Sequence, residues 1–301
     1  MTAIPRALPL PAESGHRFDG ERRWAASLSL AFDARADGHT RMLKARHRGP
    51  LRVQRPFYPE PPDAAGRPGA CHVYLLHPPG GLVSGDELAI EARLEPGAQA
   101  LLTTPAANKL YRADSQGVRW HQHTRLYVAE DALLEWLPQE TIAFDGSKGS
   151  QITDIELAAG ARCLGWEVLA LGRPASELPY VSGAIEQRFR LTREGCPLWL
   201  ERQVLDPTHR RFRGAWGQGG AGVQATLWAV GLDDEADAIA ALREALPASR
   251  EWAVTVRQGV LLLRYLGSER NVAWSLCQRA WEVLRPRLAG RPACVPRIWR
   301  T

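Results

Sequence analysis

The sequence has few cysteines and no long apolar run. Its 301 residues include 5 cysteines, which are widely spaced and form no Cys-x-x-Cys pair. A disulfide framework and a structural zinc site are therefore not expected. No run of roughly 18 apolar residues occurs, and the N-terminus lacks the apolar core of a signal peptide. These absences predict a cytoplasmic protein that does not bind or span a membrane.

Sequence motifs of several enzyme classes are also missing or incomplete. The glycine-rich stretch 214–222 lacks the pattern of a phosphate-binding P-loop. It contains Gly-x-Gly-x-x-Gly, but strand-like residues follow where a dinucleotide site needs a helix. His77 and Ser84 lie close in sequence, yet the glycines around Ser84 do not form Gly-x-Ser-x-Gly. A hydrolase that uses His77 and Ser84 is kept as an alternative.

Positive charge is modest and is carried mostly by arginine. The chain has 38 Lys+Arg against 33 Asp+Glu, which gives a net charge of +5. Segment 41–55 contains six basic residues and no acid, so a basic nucleic-acid-binding module is a second alternative. A solvated, arginine-rich strand surface explains the same residues. We favour that interpretation because the net charge is small, and we expect no nucleic-acid partner.

Short apolar runs separated by turn residues dominate the chain. They predict strands at 24–32, 71–76, 88–94, 100–104, 118–128 and 133–137. A strand–turn–Ala–strand pattern recurs at 94–101, 128–135 and 157–164, although Ala-rich hairpins can resemble one another by chance. Units stacked about every 30 residues predict a mainly β protein with a solenoid-like or elongated β-sandwich body.

Two α-helices are predicted in the C-terminal part. Residues 233–246 begin with acids and stop at Pro247, and residues 268–289 end at Gly290. Within the second, Pro286 should kink the helix or end it early. Its apolar stripe, which includes Trp274 and Trp281, is expected to pack against the sheet. Residues 1–20 are predicted to be a flexible tail, and 21–301 a single β-rich domain.

The strongest pattern for a metal site is His121-Gln-His123. Residues two apart on a strand share a face, so two imidazoles could bind one ion. Arg119 and Arg125 would stand on that same face, and their charges disfavour a divalent cation. We therefore predict no tight metal site, with His121 and His123 as weak candidates only.

Carboxylates within apolar strands are a further unusual feature. Glu167 and Glu201 lie inside apolar segments, Asp86 follows a turn, and Glu140 and Asp145 flank 141–144. A buried carboxylate needs a partner, a proton or an ion. Arginine partners are one explanation, and a polar passage for a hydrated cation is the other.

Several long motifs occur in a fixed order. They are GPLRVQRPFYPE at 49–60, HPPGGLVSGD at 77–86, TTPAANKLYR at 103–112, LEWLPQETIAFDG at 134–146, LGRP at 171–174 and PRIWRT at 296–301. Together they resemble the UreD family of urease accessory proteins, also called UreH, over roughly residues 24–301. The chain departs from the family pattern at Ser84 and Ala106, where glycine is usual, and at Asn108, where a small residue is usual.

The resemblance implies a non-enzymatic scaffold required for the insertion of nickel into urease apoprotein. It implies the partners UreF and the GTPase UreG besides the apoprotein, and no tightly bound cofactor, only nickel in transit. The family fold is a β-rich, solenoid-like body with two helices. On this basis Asp86, Asn108, Glu167 and Glu201 are candidates for the wall of a nickel passage. Glu140 and Asp145 are further motif acids, and the partner-binding surface is not predicted.

Overall fold

The computed structural model describes residues 22–63, 65–173 and 176–300. The predicted tail at 1–20 lies outside these residues. In chain order the elements are β1 (Trp24–Ala34), β2 (Thr40–Arg48), β3 (Arg52–Val53), β4 (Cys71–Leu76), β5 (Gly81–Leu82), β6 (Asp86–Leu94), β7 (Gln99–Thr103), β8 (Asn108–Leu110), β9 (Trp120–Val128), β10 (Leu133–Leu137), β11 (Thr141–Ala143), β12 (Lys148–Leu157), β13 (Arg162–Arg173), β14 (Leu178–Pro179), β15 (Ala184–Arg193), β16 (Cys196–Leu205), α1 (Arg210–Arg213), β17 (Val223–Val230), α2 (Glu235–Ala245), β18 (Trp252–Arg257), β19 (Val260–Gly267), α3 (Arg270–Ala289) and a 3-10 turn (Arg297–Arg300).

The strands form two sheets, so the prediction of a mainly β protein is confirmed. The first sheet has seven strands in the order β16-β15-β12-β9-β6-β1-β2. The second has twelve, with the order β18-β19-β17-β13-β10-β7-β4-β3 and four short strands beside this path. Among the described residues, no helix combines the length and apolar character that crossing a bilayer requires.

Each copy of the predicted repeat is a turn at which the chain crosses from the first sheet to the second. The pairs β6–β7, β9–β10 and β12–β13 each make this crossing, and successive crossings stack in parallel. The alanines of the three turns, Ala98, Ala132 and Ala161, are buried. Leu133 N–H donates to the Ala98 carbonyl and Arg162 N–H to the Ala132 carbonyl, both at 2.9 Å. Backbone hydrogen bonds between neighbouring turns therefore fix the stacking of these parallel layers.

Strand β13 separates two hydrophobic cores because its side chains alternate between its faces. Leu169 and Leu171 face the core between the two sheets. Trp166 and Val168 face a second core, which lies between the second sheet and helices α2 and α3. The predicted stripe on α3 packs here, with Trp281 fully buried against Trp166.

Both predicted helices are present, with small differences at their ends. Asp234 caps α2 by accepting a hydrogen bond from Asp237 N–H, at 2.9 Å. The expected early end of α3 at Pro286 is wrong, because the helix continues to Ala289 and stops at Gly290, whose φ is 69°. A proline this close to the C-terminus removes one helical hydrogen bond, and the last turn is kept by packing of buried Leu288.

A buried ion pair holds α3 against the second sheet. The Arg285 guanidinium donates to both oxygens of Glu135 on β10, at 2.9 and 3.0 Å. Trp281 Nε1 donates to the same carboxylate at 2.6 Å, and Arg285 also pairs with Glu60. Burial alone would raise the pKa of Glu60, but His72 and Arg285 hold it at about 2.

We expect Arg285→Ala to lower the free energy of unfolding by about 3–5 kcal/mol, since it leaves buried Glu135 without its cation and removes one of the cations beside Glu60. Arg287→Ala is the matched control. It removes an arginine from the same helix that pairs with the exposed Asp237, and should cost no more than about 1 kcal/mol. Urea unfolding of both variants measures the difference. Equal costs would mean that the buried pair does not hold the helix.

Candidate functional site: a polar passage between the sheets

Three adjoining cavities run between the two sheets. The first has about 110 Å³ of space for water and the second about 40 Å³. One water needs about 10–15 Å³, so both can hold water. The first and second share Glu167 and Gln187 as lining residues. The second shares Gln203, Gln224 and Thr226 with a third cavity of about 560 Å³. The three cavities together are called the passage below.

A row of glutamines lines one wall of the passage. Gln122, Gln151, Gln187 and Gln203 occupy adjacent strands β9, β12, β15 and β16 and are direct partners in the strand register. Each points inward because it lies two residues from another inward-facing side chain, such as Thr124 beside Gln122. We call these four residues the glutamine row.

Hydrogen bonds join most of these amides across the passage. Asn108 Nδ2 donates to Gln122 Oε1 at 3.2 Å, and Gln187 Nε2 donates to Gln151 Oε1 at 3.1 Å. From the second sheet, Gln224 Nε2 donates to the side-chain oxygens of Gln187 and Gln203, both at 2.8 Å. These amides place neutral hydrogen-bond donors and acceptors along cavities whose remaining lining is largely apolar.

Glu167 is the carboxylate at the junction of the first two cavities. Thr153 Oγ1 donates to its Oε1 at 2.5 Å, and no arginine pairs with it among the described residues. Burial raises its pKa to about 7, and the charge of Glu201 adds to this effect. Glu167 keeps some accessible surface despite its depth, because it faces the cavity. At neutral pH this group can therefore hold or release a proton.

Glu201 lies on the wall of the second cavity, but it is paired. Arg264 on β19 contacts both of its oxygens, with Nη1 at 3.1 Å from Oε1. Trp199 Nε1 also donates to Glu201 Oε2, at 3.2 Å. The arginine partner considered from sequence is present here, and it comes from the opposite sheet.

Asp86 is separated from the other three candidates. It begins β6 on the face that points inward, where its Oδ2 accepts a hydrogen bond from Val83 N–H at 2.8 Å. Burial raises its pKa. It lines none of the three cavities of the passage.

The two further motif acids make structural contacts. Glu140 is buried, with Arg270 Nε at 3.5 Å from its Oε1. Asp145 accepts hydrogen bonds from the backbone and hydroxyl of Ser182, at 2.7 and 2.8 Å. Burial alone would raise the pKa of Asp145, but these hydrogen bonds, with Arg112, lower it.

The two weak metal candidates lie on the outer face of the first sheet and bind different partners. His121 Nδ1 lies 2.8 Å from Ser150 Oγ, and His123 Nε2 lies 2.7 Å from Asp154 Oδ2. Within residues 22–63, 65–173 and 176–300, no three His, Cys, Asp or Glu side chains are grouped so as to hold a metal ion.

The two residues of the hydrolase alternative make separate contacts. Ser84 Oγ accepts a hydrogen bond from Asp114 N–H at 3.0 Å. His77 lines the first cavity, where burial lowers its pKa. In the described part of the chain, no hydrogen bond joins His77 to Ser84, so nothing activates this hydroxyl as a nucleophile.

Sequence reasoning missed the glutamine row because it searched for acids and metal ligands. The signal was present in the strand alternation. Gln187, for example, stands between Ile185 and Phe189 at a position where the alternation calls for an apolar side chain. Gln122 likewise stands at an inward-facing position of its strand, between Trp120 and Thr124.

Glu167→Gln should stabilise the protein at high pH. Ionising Glu167 opposes folding because its pKa is about 7 in the folded chain and 4.5 ordinarily. Relative to the glutamine variant, the wild type should lose up to about 3 kcal/mol as pH rises from about 5 to 8.5. Melting temperatures at both pH values measure this, with the exposed Glu130→Gln as control. A difference that does not change with pH would show that Glu167 does not titrate as described.

Comparison with known proteins identifies the family. The model of the family described as UreD urease accessory protein matches residues 25–300. The chain is 70% identical over 292 residues to "Urease accessory protein UreD" of Marinobacter nauticus, with 96% of each chain covered. It is 69% identical to that of Chromohalobacter salexigens, covering 96% of this chain and 92% of the relative. It is 41% identical to that of Saccharophagus degradans over the whole of both chains. The chain therefore belongs to the UreD family of urease accessory proteins.

Proposed function

We propose that this urease accessory protein is a non-enzymatic scaffold that lets Ni²⁺ pass between its two sheets on the way to urease apoprotein. Its partners in this role are UreF and the GTPase UreG, besides the apoprotein itself. The observation that carries the proposal is the series of three adjoining cavities, which have room for water and which bring amides and carboxylates together among apolar lining residues. Ni²⁺ is the cargo and is not a resident cofactor.

The donor chemistry of the passage suits a metal that must leave again. Clusters of imidazole and thiolate ligands bind late divalent metals tightly and would trap them. Among the described residues that line the three cavities, His77 is the single imidazole, and no thiol lines them. The glutamine row and Asn108 offer neutral oxygens, and Glu167 and Glu201 offer carboxylates. Such oxygens can replace waters of a hydrated cation without holding it firmly. The described residues contain no cluster of metal ligands that would compete.

Glu167 can adjust its charge to the cargo. A cation close to a carboxyl group favours the ionised form. Because the pKa of Glu167 is about 7, the approach of Ni²⁺ would release its proton to water in the cavity, while the Thr153 hydroxyl keeps its hydrogen bond to the carboxylate. The proton would return after the metal leaves. An empty passage thus avoids the cost of a buried, unpaired negative charge.

Deleting the chain should leave urease polypeptide present but poor in nickel. The test is metal analysis of urease purified from strains that express the urease and accessory genes with and without this chain. Normal nickel content in the deletion strain would contradict the proposed role.

Substitutions in the wall of the passage should reduce nickel delivery without preventing assembly. We expect Glu167→Gln and Glu201→Gln to keep both partners and to yield urease with several-fold less nickel, because the passage loses a carboxylate. Assembly should survive because the Glu201–Arg264 pair is partly exposed and such pairs contribute about 1 kcal/mol or less. Co-purification and nickel per urease active site are measured together.

Glu186→Gln is the matched control for these variants. Glu186 makes ion pairs with Arg188 and Arg202 next to the glutamine row, but on the outer face. It should leave nickel delivery unchanged. Asp86→Asn, measured in the same way, decides whether the nickel route also includes this residue outside the three cavities. Failure of both wall variants to assemble, or normal nickel content in both, would place the route elsewhere.

A further inference from the structure

The loop at 206–222 forms one side of the third cavity and combines exposed arginines with an exposed tryptophan. Trp216 is 101% exposed, and Arg210, Arg211 and Arg213 are exposed as well. Within the described ranges, none of these three arginines lies within ion-pair distance of a carboxylate. The loop therefore combines a fully exposed indole with three guanidinium groups that have no carboxylate partner among the described residues, and one of them, that of Arg213, donates to the Pro207 carbonyl at 3.0 Å.

The surroundings of this loop have the composition of a protein interface. Val204 and Leu266, which are 55% and 39% exposed, line the third cavity together with Trp216. Arg202 and Arg264 line it too. Tryptophan and arginine are the side chains most enriched at the energetic centres of interfaces. The charge complementary to this surface is negative. An acidic protein surface that offers an apolar pocket to the indole therefore fits it.

One side chain of the loop points the other way, into the passage. Gln218 is only 5% exposed, although its neighbours Gly217 and Gly219 are exposed. Its Nε2 donates to Gln224 Oε1 at 2.6 Å. A Cβ on Gly217 would lie 1.9 Å from the Arg211 carbonyl oxygen, so the tight turn that aims Gln218 inward requires glycine here.

The Gln218–Gln224 hydrogen bond links the loop to the glutamine row. Gln224 Nε2 donates hydrogen bonds to Gln187 and Gln203, and its Oε1 accepts a hydrogen bond from Gln218. These four amides stand where the second and third cavities adjoin. A displacement of the loop would withdraw Gln218 and reduce the side-chain hydrogen bonds that hold Gln224 from three to the two with Gln187 and Gln203.

We propose that loop 206–222 docks onto an acidic protein surface, and that docking is transmitted to the passage through the Gln218–Gln224 hydrogen bond. This inference rests on the proposed function, which assigns Ni²⁺ as the ion that moves through the passage. In this proposal the outer end of the passage meets a partner protein at the loop. The Gln218–Gln224 hydrogen bond then makes the opening of that end depend on whether the partner is bound.

The docking step is tested with binding measurements on the full chain. Wild type, Trp216→Ala and the triple variant Arg210→Glu, Arg211→Glu, Arg213→Glu are compared for affinity toward purified UreF, UreG and urease apoprotein. Trp24→Ala and the double variant Arg41→Glu, Arg46→Glu are matched controls. They alter an exposed indole and exposed arginines at the opposite end of the first sheet, on β1 and β2.

We expect both loop variants to bind one of the three proteins at least about tenfold more weakly than the wild type does. For the triple arginine variant, this loss of affinity should be larger at low salt, because charge attraction is less screened. The controls should bind as the wild type does. Docking is overturned if the loop variants bind all three proteins like the wild type, or if the controls lose as much. It is also overturned if the wild type binds a 20-mer DNA duplex and the triple arginine variant loses that binding while it keeps its affinity for all three proteins. If the wild type binds none of the three proteins, the proposed function itself fails.

The link to the passage is tested without any partner or metal. Gln224→Met, which keeps the side-chain volume, should raise hydrogen exchange of the loop amides at 217–221 by about threefold to tenfold. Gln122→Met changes the other end of the glutamine row and should leave these amides unaffected. Unchanged exchange in Gln224→Met, or an equal rise in Gln122→Met, would overturn the link.

Discussion

The register of the parallel strands β9, β12 and β15 is the constraint on which the passage depends. It places Gln122, Gln151 and Gln187 side by side on the inner face of the first sheet. A slip of one residue in any strand would turn its glutamine to solvent and bring an outer side chain inward. The stacked alanine turns prevent such a slip, because the backbone hydrogen bonds between them lock each layer to the next. The same repeat that builds the fold thus builds the wall of the passage.

The carboxylates between and beside the sheets divide into two kinds. Glu60 and Glu135 are fixed by Arg285 and neighbouring donors, and they join α3 to the sheet. Glu167 has a threonine and water-sized space beside it, and none of the described residues gives it a cationic partner. Buried charge without a partner is costly, so Glu167 meets this cost by keeping a proton near neutral pH. The absence of a fixed partner is therefore what leaves this group free to respond to a cation, whereas Glu60 and Glu135 are committed to structure.

The sequence was most informative where one residue decides the local structure. The turn alanines, the N-terminal acids of α2 and Gly290 predicted the repeat and both helices, because local chemistry determines these features. It was less informative about pairs distant in the chain. The contact of Glu201 with Arg264 and that of Arg285 with Glu135 join elements 63 and 150 residues apart, and no local pattern encodes such contacts. The glutamine row could have been found from strand alternation alone, but its continuity across four strands needed the register.

The hydrogen bonds of Gln224 set an energetic cost for opening the boundary between the second and third cavities. Gln224 takes part in three amide hydrogen bonds, with Gln187, Gln203 and Gln218. At about 1 kcal/mol net for each, breaking all three costs about 3 kcal/mol, so the open arrangement would be populated on the order of one part in a hundred. A divalent cation offers each freed oxygen a stronger, charge-assisted contact in place of its lost hydrogen bond. The same amides that hold the passage closed can therefore yield to a divalent cation such as the proposed cargo.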